Sequence, residues 1–169
     1  MLWLTKFVLR GLQFAHRHLP RRQAQHLLTG RRGELEAYLY LRARGYQIVA
    51  GNFRVAYDRG EIDLIGWDEG VLCFIEVKTR TKAGFAPPVT AVDRDKRRHI
   101  LSVARRYLQR IPDARPPACR FDVVSIVLGE DGDEPDITLH KGAFTWNSDR
   151  RRNRWYRNFR ERHYWRPRK

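Results

Sequence analysis

Charged side chains inside runs that otherwise read as buried strands constrain this chain more than any other feature. Gly60-Glu61-Ile62-Asp63-Leu64-Ile65 and Val71-Leu72-Cys73-Phe74-Ile75-Glu76-Val77-Lys78 are filled by β-branched and other apolar residues. Gly66, Asp68, Glu69 and Gly70 supply turn formers between them, so the two runs predict a β-hairpin. Asp63 lies within one arm, and Glu76 with Lys78 ends the other. Residues two apart on a strand share a face, so Glu76 and Lys78 point the same way. Charge buried in a strand is costly unless it is paired or used. Two carboxylates and an ammonium converging at the end of an apolar hairpin suit a magnesium site built to cut a phosphodiester.

Magnesium takes oxygen ligands in a near-octahedral shell and keeps several waters. Asp63 and Glu76 each offer a carboxylate, and the backbone carbonyl of Val77 is placed to add a third oxygen; Mn2+ accepts the same donors. Lys78 would orient the attacking water and offset charge gathering on the phosphate. Glu61 shares a strand face with Asp63, either as a reserve ligand or as the partner of a neighbouring arginine. The bland alternative for the whole group is a structural Asp63–Lys78 or Glu76–Arg80 salt bridge.

Around the hairpin the order of elements reads helix, three strands, helix, strand, strand. The first helix is expected from about Arg31 to Arg44, ended by Gly45 as a C-terminal cap. Glu34, Ala37, Tyr38 and Leu41 share one of its faces, so Glu34 heads a core-facing stripe. There it either favours the helix N-terminus through the macrodipole or serves the hairpin acids, through a second metal or a metal-bound water. Tyr46 to Ala56 reads as a strand with an irregularity at Gly51-Asn52, and Thr79 to Pro88 as a loop. A helix follows from about Thr90 to Arg110. Its apolar stripe is Ile100, Val103, Ala104, Tyr107, Leu108 and Ile111, and Arg94, Lys96, Arg97, Arg98, Arg105 and Arg106 occupy the other face. Phe121–Leu128 is apolar enough for a central strand, and a last strand runs through Ile137, Leu139 and Ala143-Phe144. The prediction is an α/β fold, a mixed sheet with helices on both sides.

Charge divides the same chain into three. The net charge is +15, yet residues 33–144 sum to zero, with seventeen charges of each sign. Residues 1–32 carry seven Lys/Arg and no acid, and residues 145–169 carry ten Lys/Arg against two acids. We therefore expect an N-terminal basic amphipathic extension (1–29), a core domain (30–145) and an arginine- and aromatic-rich tail (146–169). Basic arms on a neutral core suit a polyanion, nucleic acid before an anionic membrane surface. The tail interleaves Trp146, Trp155, Tyr156, Phe159, Tyr164 and Trp165 with arginines, a composition able to engage phosphates and stack on bases. The candidate nucleic-acid contacts are Arg80, Lys82, Lys96, Arg97, Arg98, Arg150, Arg151, Arg152, Arg154 and Trp155. Residues 1–28 read as partly helical, broken at Pro20, and their short apolar stripe favours packing on the core over lying on lipid. Cys73 and Cys119 form no metal or disulfide pattern, which fits a reducing cytoplasm, and nothing reads as a transmembrane span.

At these residues the sequence strongly resembles the bacterial YraN family, small proteins placed in the restriction-endonuclease-like superfamily with the Holliday-junction resolvases. The pieces that carry the resemblance are Gly33-Glu34 with Ala37, Gly45-Tyr46, Asn52-Phe53-Arg54, Gly60-Glu61-Ile62-Asp63-Leu64-Ile65 and Phe74-Ile75-Glu76-Val77-Lys78-Thr79-Arg80. Ala91-Val92, Lys96, Arg120-Phe121-Asp122-Val123 and Ala143-Phe144 continue it, over roughly residues 30–145. The resemblance implies a restriction-endonuclease-like αβββαβ core. It implies metal-dependent cleavage of DNA, branched DNA included, by Glu34, Asp63, Glu76 and Lys78; resolvase-like enzymes often pair to cut two strands, which leaves a homodimer open. The competing expectation is a nucleic-acid-binding module on an inactive nuclease fold, with the basic arms as its binding elements. A third is a protein docked on a membrane surface through residues 1–19.

Overall fold

The computed structural model describes residues 20–56, 60–81, 92–112, 117–129 and 133–146. They form helix α1 (Arg21–Ala43), strands β1 (Gln47–Arg54), β2 (Glu61–Asp68) and β3 (Val71–Thr81), helix α2 (Arg94–Leu108), and strands β4 (Cys119–Leu128) and β5 (Asp136–Phe144). The sheet runs β1-β2-β3-β4-β5. Its pairs are antiparallel except β3 with β4, which are parallel and joined through α2. This is the mixed α/β sheet that the sequence predicts, and it is consistent with a restriction-endonuclease-like core.

Alternation along β3 places the helices on opposite faces. Leu72 and Phe74 enter one apolar cluster with Ile100, Val103 and Ala104 of α2. Cys73 and Ile75 enter the other, with Ala37 and Leu41 of α1. Because both faces are covered, β3 carries no polar alternation over these residues, as expected for a strand buried on two sides. On the α2 side Phe121 stacks between Phe74 and Phe144, at ring-centroid distances of 5.5 and 4.9 Å. Trp146 meets the edge of the same ring at 4.8 Å and is buried. Sequence composition assigns this tryptophan to the tail, whereas its indole fills the core.

Several boundaries differ from the sequence reading, each for a physical reason. Pro20 caps the start of a helix, with a non-helical ψ of 141°, and the residues before it lie outside the described ones. Its carbonyl accepts from the backbone N–H groups of Gln23 and Ala24, so α1 begins ten residues earlier than expected and runs through Gly30. A proline at a helix start loses no hydrogen bond, because the first N–H groups have no intrahelical acceptor. The hairpin turn is only Glu69-Gly70. Both have positive φ, 50° and 81°, the backbone of a two-residue turn matched to strand twist, and β2 therefore continues through Gly66 to Asp68. The expected loop after Lys78 starts later, since β3 stays paired with β4 as far as Thr81–Leu128. α2 starts at Arg94, where the Asp93 side chain accepts from the N–H groups of Asp95 and Lys96 as an N-cap. The irregularity expected in β1 is present, as a register shift between Ile48 and Ala50 and a φ of 50° at Asn52. The segments 1–19, 82–91 and 147–169 lie outside the described residues, and with them the N-terminal extension, most of the expected loop and nearly all of the tail. Among the described residues no helix is long and apolar enough to cross a membrane.

Candidate active site

The sheet forks where the hairpin acids stand. β2 pairs with β3 only as far as Leu64–Ile75, while β1 still holds β2 at Phe53–Ile62 and Arg54–Glu61. β3 leaves with β4 instead. In the fork the Val77 N–H has no ladder partner on β2, and the Asp63 carboxylate replaces it, Oδ2 accepting at 2.7 Å. The side chain that ends the ladder is thereby fixed beside the next residues of β3. Asp63 and Glu76 are 6 % and 3 % exposed, so two carboxylates share one desolvated corner.

Their compensation is specific but incomplete. Glu76 Oε1 lies 3.0 Å from Lys78 Nζ, its neighbour on the same strand face. Oε2 lies 3.1 Å from Lys96 Nζ, yet among the described residues no donor points at it with hydrogen-bond geometry. Lys96 belongs to this site and not to the outer basic face where its neighbours suggest a nucleic-acid contact. A sequence signal for this exists: Lys96 stands four residues before Ile100 and seven before Val103, on the apolar stripe of α2. The Asp63 carboxyl is pushed well above its ordinary value, first by burial and second by the charge of Glu76, against the pull of Lys96 and the Val77 N–H. Burial alone would lower Lys96, but the charges of Asp63 and Glu76 outweigh it and hold the ammonium above its usual range.

Glu34 stands beside this pair without joining it. Its carboxylate accepts from Asn52 Nδ2 at 3.1 Å, and burial raises its pKa despite that bond and the charge of Arg31. Asn52, to which the sequence alone gives no role, owes its place to the β1 irregularity. Glu34 and Glu61 stand on the wall of a cleft of about 910 Å3 that also carries His26, Arg31, Asn52 and Arg54. Glu61 is paired with Arg54 across the β1–β2 ladder, the arginine-partner reading of that residue. Among the described residues no three His, Cys, Asp or Glu gather into one metal-binding group. The centre is therefore a two-carboxylate site, with the Val77 backbone beside it and Glu34 within electrostatic reach of Asp63. That donor set is of the kind a hard divalent cation takes: two repelling carboxylates with backbone oxygen beside them, the remainder of the shell being water.

Of the remaining candidate contacts, Arg97 donates to the Val92 carbonyl, Arg98 pairs with Asp95, and Arg80 is half-buried near the end of β3. Lys82, Arg150, Arg151, Arg152, Arg154 and Trp155 lie outside the described residues.

A second group of buried charges, toward the hairpin-turn end of the sheet, offers a contrast within the same fold. Asp122 is fully buried. Its Oδ1 accepts from Arg120 Nε at 2.7 Å and from the Gly142 N–H at 2.8 Å. Its Oδ2 accepts from Arg120 at 3.0 Å and from the Tyr46 hydroxyl at 3.4 Å. Asp68 accepts from Arg120 at 2.6 Å and from Lys141 at 2.8 Å. Burial would raise the Asp68 carboxyl, yet these two donors hold it below its ordinary value. Every carboxylate oxygen of Asp122 has a donor, as structural buried charges require. The two oxygens of Glu76 instead face lysine ammoniums, that of Lys96 off the ideal direction.

The comparisons agree with the motifs. A model of the uncharacterised protein family UPF0102 matches residues 33–126. A UPF0102 protein of Koribacter versatilis is 49 % identical over 122 residues, covering 72 % of this chain and 82 % of the relative. One of Solibacter usitatus is 46 % identical over 115 residues, covering 68 % and 84 %. One of Alkalilimnicola ehrlichii is 38 % identical over 130 residues, covering 77 % and 97 %. The matched region contains Glu34, Asp63, Glu76, Lys78 and Lys96, and on these matches the chain belongs to UPF0102, the YraN family.

Proposed function

We propose that this chain is a divalent-metal-dependent endonuclease that hydrolyses phosphodiester bonds in DNA, branched or repair intermediates included. One observation carries the reading: two buried carboxylates and two lysines meet at a sheet fork, where Glu76 Oε2 has only an ion pair off the ideal hydrogen-bond direction, while both oxygens of Asp122 at the far end of the sheet have directed donors. Asp63 and Glu76, with the Val77 carbonyl, would hold Mg2+ or Mn2+, which when bound supplies Lewis acidity and a more acidic water. The Val77 N–H fixes the Asp63 carboxylate, so its other oxygen is aimed without loss of side-chain freedom during the reaction. Lys78 keeps its ammonium beside Glu76, where it orients water toward phosphorus and offsets the charge that gathers on the phosphate oxygens. Glu34, pinned by Asn52, anchors a water on the cleft side.

The test is cleavage of labelled duplex, single-stranded and four-way-junction DNA with Mg2+, Mn2+ or EDTA. Metal-dependent strand breaks are expected. Asp63→Ala and Glu76→Ala should each lower the rate by about a hundredfold or more, the scale of losing one electrostatic stabiliser, with DNA affinity kept. Full activity in Asp63→Ala would sink the proposal. The net charge of +15, concentrated at the chain ends, supports a second reading as a non-catalytic DNA-binding module. Tight, salt-dependent binding with no metal-dependent cutting would select it.

A further inference from the structure

We infer that Lys96 is a displaceable internal counter-ion that competes with the divalent cation for Glu76 and so sets the metal affinity of the site. The inference rests on the metal-site reading above and adds a residue to it. Asp63, Glu76, Lys78 and Lys96 form a group of two negative and two positive charges in a corner where the acids are almost fully buried. Those four charges cancel among themselves, with Glu34 and Glu61 acting from further off. A divalent cation added to the group leaves two uncompensated positive charges in a poorly solvated place, which is unfavourable unless an ammonium withdraws.

The geometry selects which one. Lys78 shares the strand face of Glu76, two residues away, and its contact follows from the backbone of β3. Lys96 reaches Glu76 from another element on a four-carbon stem, and its ion pair with Oε2 at 3.1 Å is off the ideal hydrogen-bond direction. Both lysines touch solvent, Lys78 at 33 % exposure and Lys96 at 26 %, so the element that carries each stem, and not exposure, separates them. A change of rotamer carries the Lys96 ammonium off Glu76 with no movement of α2, whose first turn is fixed by the Asp93 cap. A phosphate oxygen of the nucleic acid is an acceptor for the released ammonium, and it shifts Lys96 off Glu76 in the same direction as the cation does. Phosphate and metal then favour each other's binding, a coupling that is reciprocal by linkage.

The experiment reads Mn2+ binding by electron paramagnetic resonance on the full chain, without turnover, using wild type, Lys96→Met, Lys96→Arg and Glu76→Gln. Lys96→Met, which keeps an unbranched apolar stem, should bind Mn2+ about tenfold tighter than wild type, within the usual range of site-to-site coupling. Lys96→Arg, which keeps the charge, should stay at or below wild-type affinity. Addition of a short duplex with non-hydrolysable phosphorothioate linkages should tighten Mn2+ in wild type and lose that effect in Lys96→Met. Equal or weaker Mn2+ binding by a folded Lys96→Met would overturn the inference; should that variant not fold, Lys96→Gln is held to the same standard. Mn2+ binding that Glu76→Gln leaves intact would overturn the metal-site reading as well, and this separates the two failures.

Discussion

At the scale of residues, Asp63 is the side chain that the fold accommodates least well. Its carboxylate is buried, faces the charge of Glu76, and keeps one backbone donor at 2.7 Å. A carboxyl whose pKa is higher in the folded chain than in the unfolded one stabilises the fold most below the unfolded value. That contribution disappears as pH rises through the folded value. The metal-free protein should therefore lose stability as pH climbs from the ordinary aspartate range through the raised value of Asp63. Asp63→Asn keeps an oxygen for the Val77 N–H and removes the charge. It should stabilise the metal-free protein at neutral pH by about 1 kcal/mol, the usual trade between stability and a strained functional site, and flatten the pH slope. Urea titrations in EDTA at several pH values check both. A less stable Asp63→Asn with an unchanged slope would mean that the carboxylate is structurally satisfied, and the functional reading of the pair would weaken with it.

At the scale of elements, α1 carries two glycines three residues apart that answer opposite demands. A Cβ at Gly30 meets nothing within 4 Å, whereas one at Gly33 would fall 1.8 Å from Thr79 Oγ1 and 2.7 Å from its Cβ. Gly33 is thus the point where α1 lies down on β3, and it brings Glu34 to the site. Gly30→Ala should stabilise the protein by about 0.5–1 kcal/mol through helix propensity. Gly33→Ala should cost about 1–3 kcal/mol through overpacking, with both signs read from chemical denaturation. The contrast also shows what can be read from the sequence. Element identity and order are legible, because the hairpin, the amphipathic α2 and the apolar β4 each carry their own periodicity. Asp63, Glu76 and Lys78 are legible because charge inside a strand violates its pattern. The start of α1 is not, since the shared apolar face shows only from Glu34 on, while the helix anchored there through Ala37 and Leu41 extends back across Gly30 to Pro20. Lys96 reads as an outer basic residue because it sits among arginines, and only its register with Ile100 separates it from them. Asn52 and the Arg120–Asp122–Asp68–Lys141 network depend on pairings between elements distant in sequence, which no local pattern encodes.

At the scale of the whole molecule, charge separates a neutral core from basic ends, and Trp146 belongs to the core. Its indole is 4 % exposed against Phe121, so a truncation that removes it withdraws a core side chain at a cost of about 3–5 kcal/mol. Any weakening of DNA binding in such a truncation would mix unfolding with the missing charge. A chain ending at Trp146 removes the ten basic residues and two acids that follow, and leaves the core aromatic in place. Each phosphate that the tail neutralises adds about 0.9 to the slope of log affinity against log salt on duplex DNA. If the tail is the binding arm its charge suggests, this truncated chain should bind DNA more weakly at low salt. Its slope should be shallower by about 0.9 for every phosphate that the tail no longer neutralises. Its Mn2+ binding at Asp63 and Glu76 should stay at the wild-type value, because those residues belong to the core. Fluorescence anisotropy from low to moderate salt measures the slope, and the paramagnetic resonance assay measures the metal. An unchanged slope would place the DNA-binding surface on the core itself, on the cleft side where Arg31 and Arg54 stand beside Glu34 and Glu61.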